Sequence, residues 1–285
     1  MARCYGIWNS YAAHRCGNVI FRRGKAMSLG WNIFPIFAAL AAVAGITSSV
    51  LAARSRDTNQ AAKWLLWGSA ALLAIFVALL WTSLCRPPMR TMGETRLWYS
   101  LFLFICGAVT YHRWGYRWVP GFATMLATVF MVINILKPEI HDSTLMPALQ
   151  SAWFIPHVAV YMFSYALLGC ATLLSVYSLF SRKSVDSAVE SLTYGGVAFL
   201  TAGMLTGALW AKQAWGDYWS WDAKESWAAA TWLLYLLAIH LMRLQPNRKR
   251  AIAVVMVTAF LSLQMCWYGV NYLPSATNSV HVYNR

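Results

Sequence analysis

Eight stretches of this chain contain no Asp, Glu, Lys or Arg: 31–53, 64–85, 97–112, 118–136, 147–181, 191–211, 226–242 and 251–284. Most exceed the roughly 18 residues that a helix needs to cross a bilayer. The expected fold is therefore an all-α integral membrane protein with about eight transmembrane helices, of which 97–112 is the shortest. A soluble domain is excluded, because 59% hydrophobic and 11% charged residues leave too little polar surface to face water. The first run is too long, and too plainly followed by Arg54 and Arg56, to be a cleaved signal peptide. Neither a repeat nor a low-complexity tract interrupts the pattern.

Charge and cysteines narrow the function classes. The net charge of +14 is dispersed over short loops, which in a membrane protein reports topology and not nucleic-acid binding. Six cysteines (Cys4, Cys16, Cys85, Cys106, Cys170 and Cys266) include no C-x-x-C, so neither a dithiol reductase nor a c-type cytochrome is indicated. Residues 1–26 form a polar, basic tail, and Met27 offers a cleaner beginning, so the tail reads as an upstream extension of the reading frame. Residues 27–285 are expected to form one polytopic membrane domain.

One segment does not fit an ordinary span or an ordinary loop. Residues 210–227 read Trp-Ala-Lys-Gln-Ala-Trp-Gly-Asp-Tyr-Trp-Ser-Trp-Asp-Ala-Lys-Glu-Ser-Trp. Tryptophan and tyrosine suit a membrane–water boundary, since each ring carries a polar N–H or O–H at its edge. Such a belt accounts for one or two aromatic residues per helix end. It does not account for Trp210, Trp215, Tyr218, Trp219, Trp221 and Trp227 together. Trp215 and Trp219 are four apart, so on a helix they would form one shelf for a large flat ligand with a polar rim. The plain interfacial belt is the competing reading. Asp222 and Glu225 have the spacing of a capping box for the helix that follows. Gly196, Gly203 and Gly207 share one face of the preceding helix, either for close packing or as a slot for a ring.

The order Trp-Gly-x-Tyr-Trp-Ser-Trp-Asp-x-Lys-Glu-x-Trp resembles the tryptophan-rich WWD segment of haem-handling membrane proteins, in the version carried by the CcsA/ResC-type (System II) cytochrome c biogenesis family. Ala223 departs from the proline expected after the Asp. A second stretch, Pro147-Ala-Leu-Gln-Ser-x-Trp153…His157-Val158…Ser164-Tyr-Ala, and the terminal Ser279-Val-His281 also resemble that family. The resemblance covers most of the chain after about residue 94.

That likeness implies a haem-handling subunit of the cytochrome c synthase, part of a haem lyase complex and not a complete enzyme alone. Such a subunit moves haem across the membrane and presents reduced haem to the C-x-x-C-H cysteines of apocytochrome c. Haem b is then substrate and ligand, and a ResB/CcsB-type membrane protein is the implied partner. His157 and His281 would be axial ligands of the haem iron. Trp210, Trp215, Tyr218, Trp219, Trp221, Asp222 and Trp227 would form the surrounding site. His240, about 15 residues into its helix and roughly 20 Å deep, would serve a separate, membrane-embedded haem.

Eight spans place the 138–156 loop, the Trp-rich segment and both termini on one face. The opposite loops hold eleven cations (Arg54, Arg56, Lys63, Arg113, Arg117, Arg182, Lys183, Arg243, Arg248, Lys249 and Arg250), against seven on the first face beyond Met27. The excess puts the Trp-rich segment outside, as in a bacterial plasma membrane with the segment facing the periplasm. Arg86, Arg90, Arg96, Lys212 and Lys224 are all candidate partners for haem propionates. Two other classes stay open on sequence: a membrane dihaem electron-transfer subunit linked to quinone, and a transporter that binds no haem.

Overall fold

The computed structural model describes residues 31–84, 86–137, 151–180 and 185–273. Among these residues the chain is helical, with eight α-helices and a closing 3-10 turn. They are α1 (Phe34–Arg54), α2 (Gln60–Leu84), α3 (Met92–Trp114), α4 (Val119–Leu136), α5 (Phe154–Ser178), α6 (Asp186–Trp215), α7 (Ala223–Leu244) and α8 (Lys249–Trp267). Seven are long and apolar enough to cross a membrane, which makes this a multi-pass membrane protein. The exception is α3, which carries Glu94 and Arg96 in its first turns and Arg113 in its last. Helices are what such a sequence must form, because each one satisfies its own backbone hydrogen bonds without water.

The chain divides into two compact units, residues 1–143 and 144–285. In the first, α1 packs on α2 and α4, and α3 packs on the same two helices, closing a four-helix ring. Hydroxyls cross the α1–α2 seam: Ser48 Oγ donates to the Ala62 carbonyl at 2.6 Å and Ser69 Oγ to the Ala41 carbonyl at 2.9 Å. Such small polar residues let the helix backbones approach closely in an apolar medium. Thr91 and Glu94 form a reciprocal capping box at the start of α3, satisfying two amides that no helical carbonyl reaches. Apolar side chains such as Val43, at 62% exposure, point outward, as a lipid-facing surface requires.

The second unit is another four-helix ring, in which α5 packs on α6 and α8, and α7 packs on the same pair. Ser164 Oγ donates to the Gly196 carbonyl at 2.7 Å across α5–α6. Thr231 and Ser262 share a hydrogen bond of 2.9 Å across α7–α8, and Trp232 Nε1 donates to Thr201 Oγ1 at 2.9 Å across α6–α7. Because neighbouring helices run in opposite directions, the start of α5, the end of α6, the start of α7 and the end of α8 share one end of this unit.

Two boundaries differ from the sequence expectation. The loop expected over 138–156 gives way to helix at Phe154, so Pro156 lies in the first turn of α5. Proline is tolerated there because its missing N–H has no helical acceptor. The Trp-rich connection also shrinks, since α6 runs on to Trp215 and α7 begins at Ala223. Only residues 216–222 lie between the two helices. Ala223 is the first residue of α7, a position that favours proline but readily takes alanine. The departure from the family pattern therefore costs the helix start little.

Candidate functional site

His157 sits one turn into α5, where Phe154, Trp210 and Trp215 gather at the shared end of the second unit. Its ring stacks on Trp210 with centroids 5.3 Å apart and an interplanar angle of 29°. Tyr161, one turn further along α5, meets the same ring edge-on at 4.6 Å. Trp210 is only 4% exposed and touches Phe154 at 5.1 Å and Trp215 at 4.8 Å. A histidine held between aromatic rings keeps one orientation, which a mobile surface histidine would not.

The hydrogen bond of that ring fixes its chemistry. Nδ1 lies 2.8 Å from the Gly203 carbonyl oxygen of α6. A carbonyl only accepts, so Nδ1 carries the proton and the neutral ring has its lone pair on Nε2. This is the tautomer that metal-ligating histidines hold through an outer carbonyl partner. The glycines of α6 make it reachable. A Cβ on Gly207 would lie 2.7 Å from both Cε1 and Nδ1 of His157, and one on Gly203 would lie 2.8 Å from the Tyr161 ring. Gly196 likewise leaves room for Leu168, at 2.5 Å from its hypothetical Cβ. The glycine face therefore seats α5 side chains, with the imidazole at its outermost step.

The aromatic shelf predicted from the spacing of Trp215 and Trp219 does not form as one helical face, because α6 stops at Trp215. Gly216 caps it with φ of 96°, a left-handed conformation that suits glycine. Past that cap the chain turns. Lys212 Nζ donates to the Gly216 carbonyl and lies over the Tyr218 ring at 5.2 Å. Trp219 and Trp221 meet edge to face at 5.6 Å. Trp221 holds the left-handed φ of 58°, rare for a bulky residue, and is 72% exposed. Backbone strain of this kind costs on the order of 1–3 kcal/mol and persists only when the surroundings enforce it.

Trp219 gives a direct test of fit for a ligand with a polar rim. Its Nε1 is buried and has no hydrogen-bond partner among the described residues. A carboxylate-bearing ligand would supply the missing acceptor, so the segment fits haem in donor chemistry.

Asp222 and Glu225 form a complete capping box at the start of α7. The Asp222 carboxylate accepts from the Glu225 amide at 2.9 Å, and Glu225 Oε2 accepts from the amides of Ser220 and Asp222 at 2.7 and 3.3 Å. This accounts for Asp222 without a ligand. Asp222→Ala should lower stability by about 1 kcal/mol, while Asp222→Asn should restore it because asparagine caps equally well. Thermal unfolding of the purified variants checks this; equal loss in both would mean that the charge, and not the cap, matters.

Trp227 lies in the second turn of α7, beyond the 216–222 connection, and its carbonyl accepts from Thr231 Oγ1 at 2.8 Å. His240 is on α7 one turn before Leu244, exposed, with Nδ1 3.2 Å from the Leu236 carbonyl. It lies 17 residues after Ala223, which is about 25 Å of helix. His157 and His240 thus stand at opposite ends of the unit and cannot share one iron. His281 lies outside the described residues. Several residues escaped sequence reasoning: Tyr161, Phe154 and the Gly203 carbonyl around the imidazole. Tyr161 was accessible through its four-residue spacing from His157.

A family model described as cytochrome C assembly protein matches residues 31–277. The cytochrome c biogenesis protein CcsA of Chlamydomonas reinhardtii is 30% identical over 236 residues, covering 76% of this chain and 67% of that one. CcsA of Mesostigma viride is 29% identical over 255 residues, covering 73% and 82%. CcsA of Prochlorococcus marinus (strain MIT 9301) is 34% identical over 169 residues, covering 46% and 55%. A solved structure of the cytochrome c heme lyase CcmF superposes with a TM-score of 0.65 at 17% identity. The match covers 84% of this chain but only 46% of that one, and it establishes a shared fold.

Proposed function

This chain belongs to the cytochrome c assembly family, and from that premise we propose that it is the haem-presenting subunit of a System II cytochrome c synthase. The observation that carries the reading is the His157–Gly203 hydrogen bond, which holds the ring proton on Nδ1 and so makes Nε2 the basic nitrogen of the ring. Haem is the substrate. The thiols of apocytochrome c add across its vinyl groups, each S–H and C=C giving S–C and C–H, so the addition itself consumes no oxidant. This chain's residues hold and orient the substrate and keep it in one pose, and the chemistry belongs to haem and thiols. His157 and His281 would each hold the haem iron through a ring nitrogen. Trp219 donates to a propionate, while Trp210, Trp215, Tyr218, Trp221 and Trp227 screen the macrocycle edge. His240 ligates a second haem inside the membrane, with the other ligand from a ResB/CcsB-type partner.

The test is an absorption spectrum of the full-length protein purified from membranes with its partner. Low-spin haem b that passes to a C-x-x-C-H peptide supports the assignment. Absence of any chromophore would favour a transporter, and haem that stays bound through redox turnover would favour an electron-transfer subunit. In the same preparation, His240→Ala should deplete the membrane-embedded haem while added external haem still binds at His157.

With α3 counted as a span, the excess of cations on the opposite loops supports a site outside the cytoplasm. Reporter fusions after residues 184 and 220 are expected to give inside and outside respectively. A cytoplasmic signal at 220 would reverse the orientation and, with it, the direction of haem delivery.

A further inference from the structure

The link between α2 and α3, with the first turns of α3, holds three arginines and one acid. Glu94 is 2% exposed and its carboxylate is fully engaged. Arg86 grips both oxygens, at 2.9 and 2.8 Å, and the backbone amides of Arg90 and Thr91 donate to Oε2 at 2.7 and 3.2 Å. None of these four donors is a guanidinium N–H of Arg90 or Arg96. Arg90 Nε and Arg96 Nη1 are both withdrawn from solvent and have no hydrogen-bond partner among the described residues.

Such a state is expensive. A buried cationic N–H without an acceptor forfeits the hydration it had in the unfolded chain, and a guanidinium does not escape by losing its proton. The Arg90 guanidinium is nevertheless pushed toward a lower pKa, first by burial and then by the neighbouring Arg86, with Glu94 opposing. The surrounding frame is firm. Trp98 Nε1 donates to the Pro88 carbonyl at 2.8 Å and Asn134 Nδ2 to the Gly93 carbonyl at 2.9 Å. A firm frame holds the two donors in place instead of letting them swing out to water. Glu94 cancels one of the three charges, so this end of the first unit presents two uncompensated cations.

We propose that Arg90 and Arg96, each with a buried and unpaired guanidinium N–H, bind oxyanions carried by a membrane amphiphile, either the phosphate of a phospholipid headgroup or a carboxylate of haem. An oxyanion supplies both missing features, several lone pairs and negative charge, whereas water supplies only the first. The phosphate source stands apart from the haem assignment above, and the carboxylate source rests on it.

The experiment uses the full-length chain with its partner in nanodiscs, comparing wild type with the Arg90→Gln/Arg96→Gln double variant. Native mass spectrometry reads retained phospholipid, and titration reads affinity for haem against haem dimethyl ester. A phosphate ligand predicts about tenfold weaker retention of phospholipid in the double variant. A carboxylate ligand predicts that wild type prefers haem over its diester by about tenfold and that the double variant loses this preference. The Arg54→Gln/Arg56→Gln pair, on exposed positions, should alter neither reading. The single variants Arg90→Gln and Arg96→Gln serve where the double one fails to fold. Unchanged lipid retention together with unchanged haem discrimination would overturn the site and leave ordered water as the partner of both arginines. Wild type that binds no haem at all would sink the haem reading alone, since the lipid measurement still decides the site.

Discussion

His157→Ala should lose the low-spin haem spectrum of the externally presented haem and, with it, cytochrome c maturation. Two separate things disappear in this variant. The iron loses a ring nitrogen, and the Gly203 carbonyl, which also accepts from Thr206 Oγ1 at 3.1 Å, loses the donor now 2.8 Å away, one hydrogen bond worth about 0.5–1.5 kcal/mol. His157→Asn separates them. An asparagine amide occupies nearly the place of Nδ1 and can donate to Gly203, but it has no atom in the place of Nε2. Stability should therefore return in His157→Asn while the spectrum stays lost. Free imidazole should partly restore both in His157→Ala, because the cavity between Trp210 and Tyr161 keeps its shape and the added ring can reach Gly203 and the iron together. Restoration stays partial, since an untethered ligand pays translational entropy that the side chain does not. Trp219→Ala and Trp221→Ala should gain nothing from imidazole, having lost ring cover and an N–H donor and no metal bond. Normal haem content and a normal spectrum in His157→Ala without imidazole would end the ligand assignment.

Much of this architecture was legible because the membrane simplifies it. Uncharged runs of span length admit one regular solution, and the eight runs became eight helices. Their ends were less legible, because charge marks where a segment leaves hydrocarbon and not where the helix stops. Thus α3 extends from the expected 97–112 to Met92–Trp114, through charged residues that its capping box and its Gly115 cap bring inside the helix. The run 191–211 likewise became the 30-residue α6. The site was legible in composition but not in geometry. The tryptophan count singled out 210–227, yet helical spacing joined Trp215 to Trp219 across Gly216, where the helix ends. The backbone carbonyl that orients His157 has no sequence signature, since every residue carries one. What selects Gly203 is register between α5 and α6, a property of packing.

That register makes Gly207 the most demanding position near the site, and Gly207→Ala should lower haem delivery by about 100-fold through displacement of a ligand it never touches chemically. The added methyl would lie 2.7 Å from Cε1 and Nδ1 of His157, a separation that carbon atoms do not sustain. The imidazole has little freedom to yield. Trp210 lies against one face, Tyr161 meets its edge, and the Gly203 carbonyl holds Nδ1. Either the ring shifts and lengthens that hydrogen bond, or α5 and α6 separate; overpacking of this kind costs about 1–3 kcal/mol. Lost stability alone would say little about function, so Gly196→Ala is the matched comparison. Its methyl would meet Leu168 at 2.5 Å, two turns of α5 away from Tyr161 and three from His157, at a similar packing cost. Both variants should melt at lower temperature, and only Gly207→Ala should shift the haem spectrum away from low spin. Equal spectral change in both would make the glycine face a general packing seam, and an unshifted spectrum in Gly207→Ala would show that the imidazole's pose is not set by α6.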